Sequence, residues 1–158
     1  MDEALIRRTL PHSVEAEQSV IGSMIMDSDA VMAASEILTA EDFYGNQYGI
    51  LFQAMVELFT AGKPIDIITL QDKLSQMDVP AELSSIEFIR DLLAAVPTSA
   101  NVKYYAKIVK EKSTLRKLIK INEDIANTCY VGKENLDNIL DETEKKVFGI
   151  LQAKDGGD

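Results

Sequence analysis

The 158-residue sequence has one cysteine, Cys129, and one histidine, His12. A single thiol excludes an internal disulfide, so nothing in the chain speaks for an oxidising compartment. A single imidazole confines any Ser-His or Cys-His pair to His12, which sits between Pro11 and Ser13 at a helix entrance, where a capping or surface role is the ordinary one. No stretch approaches the ~18 consecutive apolar residues of a membrane span. The start, MDEALIRRTLPHS, puts acids first and has no apolar centre of signal-peptide length. A cytoplasmic protein with no membrane partner is expected. Also missing is G-x-x-x-x-G-K-[ST], the loop whose backbone N–H groups cradle phosphates, since Gly62-Lys63 runs into proline and Gly132-Lys133 into glutamate. These residues encode no nucleotide motor, and no cofactor is expected on them.

Positive charge is scarce too. The formal net charge is −10 and the pI about 4.6, which argues against general binding to DNA or anionic lipid. One stretch runs the other way. In NVKYYAKIVKEKSTLRKLIKIN, seven lysines and arginines from Lys103 to Lys120 stand against Glu111 alone, so the rest of the chain is more acidic than the total.

What is present is helical periodicity. Ser13 can cap a helix of about Val14 to Met26, with Glu15 and Glu17 in its first turns favourably placed against the helix dipole. Gly22 in its middle costs roughly 1 kcal/mol against alanine. A close packing contact at that point is the expected reason. SDAVMAASEIL gives a second helix, and TAEDFY has Thr39 and Asp42 at capping-box spacing with Phe43 and Tyr44 expected in the core. Leu51, Phe52, Met55, Val56, Leu58 and Phe59 form the apolar face of a third helix closed by Gly62. Asp66 caps a fourth through Ile67, Leu70, Leu74 and Met77, and Ser84 with Glu87 makes an S-x-x-E box opening a fifth that runs to Val96. No segment sustains strand alternation, and no internal repeat is found. The class is all-α.

From Ser99 to about Tyr130 there is neither proline nor glycine, which permits one helix of roughly 45 Å. Tyr104, Ile108, Glu111, Leu115, Leu118, Asn122, Ile125 and Cys129 alternate by four and three, a heptad seam that predicts core packing for Tyr104. Lys103, Lys107, Lys110 and Lys117 fall opposite. After Gly132, Leu136, Leu140, Thr143, Val147 and Ile150 repeat the alternation, so a compact helical globule is followed by an antiparallel helical hairpin. Each hairpin helix also carries a second apolar set: Tyr105, Val109 and Ile119 on one, Ile139, Phe148 and Leu151 on the other. A two-helix hairpin cannot bury both sets against itself, which makes Tyr105, Val109, Ile119, Phe148 and Leu151 the candidates for self-association. The expected organisation is an arm over 1–12, the globule over 13–97, the hairpin over 98–152 and a linker-like end over 153–158.

Carboxylate groups such as Glu41-Asp42 and Asp141-Glu142-Glu144 have the chemistry for acid-base work or Mg²⁺, but at helix starts and on exposed faces they are ordinarily caps and solvated charge. No catalytic or metal site is expected. The lysine row Lys103, Lys107, Lys110 and Lys117 is read first as a solvated helix face, then as a docking strip for an acidic surface, and only third as a nucleic-acid grip with the adjoining tyrosines.

PHSVEAEQSVIGSMI, then ILTAEDFY, then ILFQAMVELFTAGKPIDIITLQDKL, then PTSANVKYYAKIVKEKSTLRKLI resembles the amino-terminal domain of the bacterial replicative DNA helicases, the DnaB family, in order and spacing from Pro11 to Gln152. The resemblance implies an all-helical globule and a hairpin, with hairpins pairing two by two into a six-membered collar. It further implies that the collar stacks on a ring of ATPase motors and receives the carboxy-terminal helicase-binding domain of primase. ATP and Mg would belong to the motor, and DNA would be reached only through the full-length protein. Where the family often has a Gly-Gly pair opening the fifth helix, this chain has Ser84-Ser85; the resemblance also stops before the family's linker helix and motor. The expected function is therefore non-catalytic: self-association as dimer or hexamer, and primase docking. Two alternatives from other classes are a small acidic signalling bundle phosphorylated on His12 and a single-strand nucleic-acid binder built on the basic helix. A phosphoacceptor wants an exposed mid-helix position, which His12 lacks.

Overall fold

Caps and breakers divide the chain into helices much where the local signals place them. The computed structural model describes residues 9–96 and 101–156, and among these are seven α-helices and no strand. Helix α1 spans Val14–Met26, with the Ser13 side chain accepting from the Ala16 amide. Helix α2, Ser28–Ser35, is capped by Asp27, which accepts from the Asp29 amide. A 3-10 turn at Ala40–Asp42 leads to α3, Asn46–Thr60. Asp66 caps α4, Ile67–Ser75, through the Thr69 amide at 2.8 Å. A second 3-10 turn, Ala81–Ser84, precedes α5, Ile86–Ala94. Ser84 belongs to that turn, so the cap of α5 is Ser85, one residue later than expected, accepting from the Phe88 amide. Helix α6 spans Val102–Val131 and α7 Leu136–Gly156. Gly132 adopts φ +67°, the left-handed conformation that ends a helix at little cost to glycine. The expected beginning of α6 at Ser99 lies outside the described residues.

The chain divides into two compact units: His12–Glu111, and Lys112–Asp158 with Met1–Pro11. The first unit is the globule. Its core holds Val20, Ile21 and Met24 of α1, Val31 of α2, Leu51 and Met55 of α3, Leu70 and Leu74 of α4 and Ile89 of α5, all fully enclosed. The boundary falls later than the sequence suggests, because Val102, Ala106 and Val109 at the start of α6 join this core.

Gly22 is the contact anticipated for it. A β-carbon there would overlap the Val96 side chain and lie 3.4 Å from the Leu92 carbonyl oxygen, so α1 and the end of α5 meet backbone to side chain. Gly22→Leu should cost the globule about 2 kcal/mol by overpacking, although it removes a helix-propensity penalty of about 1 kcal/mol. Urea denaturation would show it, and an unchanged midpoint would mean that α5 yields freely.

Three polar links tie distant segments of the globule. Glu17, 1% exposed, accepts from the amides of Tyr44 and Gly45, each at 2.9 Å. Asp42, fully buried, accepts from the Thr39 amide at 2.8 Å and from Lys110 Nζ at 3.4 Å. Gln18 Nε2 donates to the Tyr48 hydroxyl. Phe43 is in the core as expected, whereas Tyr44 is 45% exposed and stacks on His12 with ring centroids 4.1 Å apart.

Candidate interaction surfaces

The second unit has a different character. From Thr114 to Ala153 no residue is buried. The half-buried positions of α6 include Leu118, Ile121, Ile125 and Thr128, and those of α7 are Ile139, Thr143, Lys146 and Ile150, again alternating by three and four. Ile125 and Thr128 share a groove of about 300 Å³ with Ile139, Thr143 and Lys146, so the chain reverses at Gly132 into an antiparallel hairpin. The threonines on this seam satisfy their hydroxyls within their own helices, Thr128 on the Asp124 carbonyl and Thr143 on the Ile139 carbonyl. Before α1, the Pro11 carbonyl accepts from Arg116 Nη1 at 2.7 Å, which ties the chain entrance to this unit.

The inward face is not the one the heptad spacing selects. Leu118, Ile125, Thr143 and Ile150 are half-buried as expected of a seam, but Leu115 is 40% exposed, Leu136 68%, Leu140 56% and Val147 39%, and Cys129 is exposed. Spacing alone is degenerate on a helix with two apolar faces. The face that meets the partner helix is chosen by packing, and on α7 the residues left outside include most of the large aliphatic ones.

A family model described as "DnaB-like helicase N terminal domain" matches residues 9–111. The chain belongs to that family. The matched segment ends where the globule ends. The chain is 40% identical over 157 residues to the replicative DNA helicase DnaB of Geobacillus stearothermophilus, covering 99% of this chain and 35% of that protein. It is 37% identical over 154 residues to the replicative DNA helicase DnaC of Bacillus subtilis, covering 98% and 34%. It thus spans about a third of the length of these curated relatives. The crystal structure of the N-terminal domain of DnaB from Mycobacterium tuberculosis superposes with a TM-score of 0.83 at 30% identity, over 89% of this chain and 99% of that one. A DnaB-like replicative helicase described with its interactions with primase shares the fold at TM-score 0.70 and 21% identity, over 87% of this chain and 31% of that one. The 158 residues thus correspond to the N-terminal domain of this family.

Within this DnaB-like domain the expected self-association residues separate by environment. Phe148 is 57% and Leu151 55% exposed, Ile119 is half-buried, and Tyr105 is half-buried against the globule's core. Val109 is 1% exposed inside that core, so it is withdrawn as a contact residue: a β-branched side chain with no outward surface cannot meet a partner. Val109→Asp should unfold the globule rather than weaken association, because an unpaired carboxylate would be forced into its interior. A variant with native circular dichroism and a native melting curve would refute that.

The lysine row is likewise divided. Lys103 and Lys107 are exposed in the globule unit and Lys117 is exposed in the hairpin unit. Lys110 is engaged instead with buried Asp42, offsetting its charge, and is withdrawn from the docking strip. Tyr104 is 76% exposed, against the core role its seam position implies. Sequence reasoning missed Glu17 and Asp42 as buried connectors. The capping-box spacing signalled the link of Asp42 to Thr39, while no local signal distinguishes Glu17 from exposed Glu15. No helix among the described residues is long and apolar enough to cross a membrane, and no cluster of potential metal ligands is found among them.

Proposed function

We propose that this chain is the assembly and partner-docking domain of a cytoplasmic replicative helicase, associating through the outer face of its hairpin into dimers that close into a hexameric collar. The observation that carries the reading is a hairpin of two long helices with no buried residue from Thr114 to Ala153 and with Leu136, Leu140, Val147, Phe148 and Leu151 exposed along one of them. Interiors of folded proteins are close-packed, and a two-helix unit that encloses nothing gains little from its own contacts. A second copy offering the same face supplies the missing cover through an isologous contact.

On the assembled collar the domain would receive the carboxy-terminal helicase-binding domain of primase. Support comes from solved relatives of the same fold that are described with primase, among them the N-terminal domain of DnaB from Helicobacter pylori at TM-score 0.64 and 21% identity, over 82% of this chain and 99% of that one. Lys103 and Lys107 on the globule, and separately Lys117 on the hairpin, are offered as docking positions for an acidic surface. ATP, Mg²⁺ and the DNA strand would be handled by a motor in the full-length protein, since a carrier of net charge −10 is poorly suited to gripping phosphates.

The deciding experiment is the solution mass by light scattering across a concentration series. Dimers or hexamers are expected, and a monomer persisting at high concentration would withdraw the assembly reading. Titration of the assembled form with the helicase-binding domain of primase then tests docking, with binding expected to weaken as salt rises.

A further inference from the structure

On the globule, the beginning of α6 and the outer side of α2 leave an open groove of about 510 Å³ between them. Its apolar part joins Ala30 and Val102, both buried, to Met32 at 52% and Tyr104 at 76% exposure, so a thioether and a phenol ring stand out beside a small-residue floor. Asp27, Asp29 and Glu36 line the same groove against Lys103 alone, which gives it a negative potential. Asp27 has a structural task as the cap of α2. Glu36 closes the other end of α2 through its backbone N–H, a task that leaves its carboxylate unused, and Tyr104 packs into no core that would account for its position.

We propose that this groove docks a basic segment of a partner protein, with an aliphatic side chain seated between Met32 and Tyr104 and flanking lysines or arginines on Asp29 and Glu36. An apolar slot rimmed by carboxylates selects this chemistry twice: the slot excludes water from an aliphatic anchor, while the rim attracts cations and repels acidic competitors. The Tyr104 face adds a cation–π seat for arginine, and the methionine is a side chain that adapts to differing anchors. Nucleic acid is disfavoured because its phosphates would lie beside three carboxylates. A second copy of the chain is disfavoured because the start of its basic helix is anchored in its own globule by Val102, Ala106 and Val109. The proposal is independent of hairpin pairing, which uses residues of the other unit.

The test uses the intact chain, isotopically labelled, and a short synthetic peptide with lysine and leucine at helical spacing, beside a twin with glutamate for lysine. Amide shifts of Asp29, Ala33, Glu36 and Tyr104 are expected to move with the lysine peptide and not with its twin. Asp29→Lys combined with Glu36→Lys, and separately Tyr104→Ala, should each weaken binding by roughly tenfold, the scale of a charge pair or aromatic anchor at an interface. All three positions are exposed, so folding is preserved and is checked by the unperturbed part of the spectrum. Equal response to both peptides, shifts mapping elsewhere, no response at millimolar peptide, or preferential occupation of the groove by oligothymidine would each overturn the proposal. A fall in the chain's own solution mass on Tyr104→Ala would assign the groove to a second copy and overturn it as well; loss of hairpin pairing alone would leave the peptide response intact.

Discussion

Glu17→Gln should lower the stability of the globule by about 2 kcal/mol, read as a fall of roughly 10 °C in thermal midpoint for a unit of this size. The reason lies in the fork that Glu17 makes. Its two carboxylate oxygens accept from the consecutive amides of Tyr44 and Gly45, both at 2.9 Å, in a place where the residue is 1% exposed. Glutamine keeps the shape but replaces one acceptor with a donor, so one amide would face an NH₂ group and lose its partner without gaining water. Glu17→Ala should cost more, about 3 to 4 kcal/mol, since both amides are orphaned and a small void opens. Glu15→Gln provides the control: in the same first turn but exposed, it should stay within about 0.5 kcal/mol of the parent. Thermal unfolding followed by far-UV circular dichroism measures all three. A Glu17→Gln protein melting with the parent would show that the fork contributes no net stability.

Phe148→Asp combined with Leu151→Asp should weaken self-association by about a hundredfold while leaving the melting of the globule unchanged. Both side chains are more than half exposed, one turn apart on α7, in a hairpin that encloses nothing. Covering one large apolar side chain is worth about 1.5 to 3 kcal/mol, and in an isologous pair each substitution acts twice. The hundredfold expectation, about 2.7 kcal/mol, therefore needs only part of the available effect. Light scattering across concentration reads it as a shift from the assembled mass toward that of one chain. If the double variant keeps the parent's mass profile, α7 does not present the association face at these positions.

Helix identity and limits were widely legible, and the reason is local. Ser13 and Asp66 cap the helices they were expected to cap, and Gly132 ends the long helix, because a cap or a left-handed glycine acts within a few residues of its own position. Gly22 was readable as a contact because a glycine in mid-helix has a cost that some neighbour must explain, although the neighbour itself, Val96, was not. The S-x-x-E spacing misled by one residue at α5, since Ser84 and Ser85 offer the same side chain and the 3-10 turn takes the first of them.

The family was also carried by the sequence, through ordered segments spread along nearly the whole chain, of which the first three and part of the fourth fall within the matched residues 9–111. The inward faces of α3 and α4 were legible as well, through Leu51, Met55, Leu70 and Leu74, whereas those of α6 and α7 were decided by the tertiary structure alone. Val109 entered the core and Tyr104 left it, Lys110 turned from the strip to Asp42, and Leu136 and Leu140 came out where Ile139 and Lys146 went in. The physical reason is that α6 and α7 carry apolar residues on more than one face, so periodicity names the candidates while only the neighbouring surface, with its volume and its buried charges, selects among them.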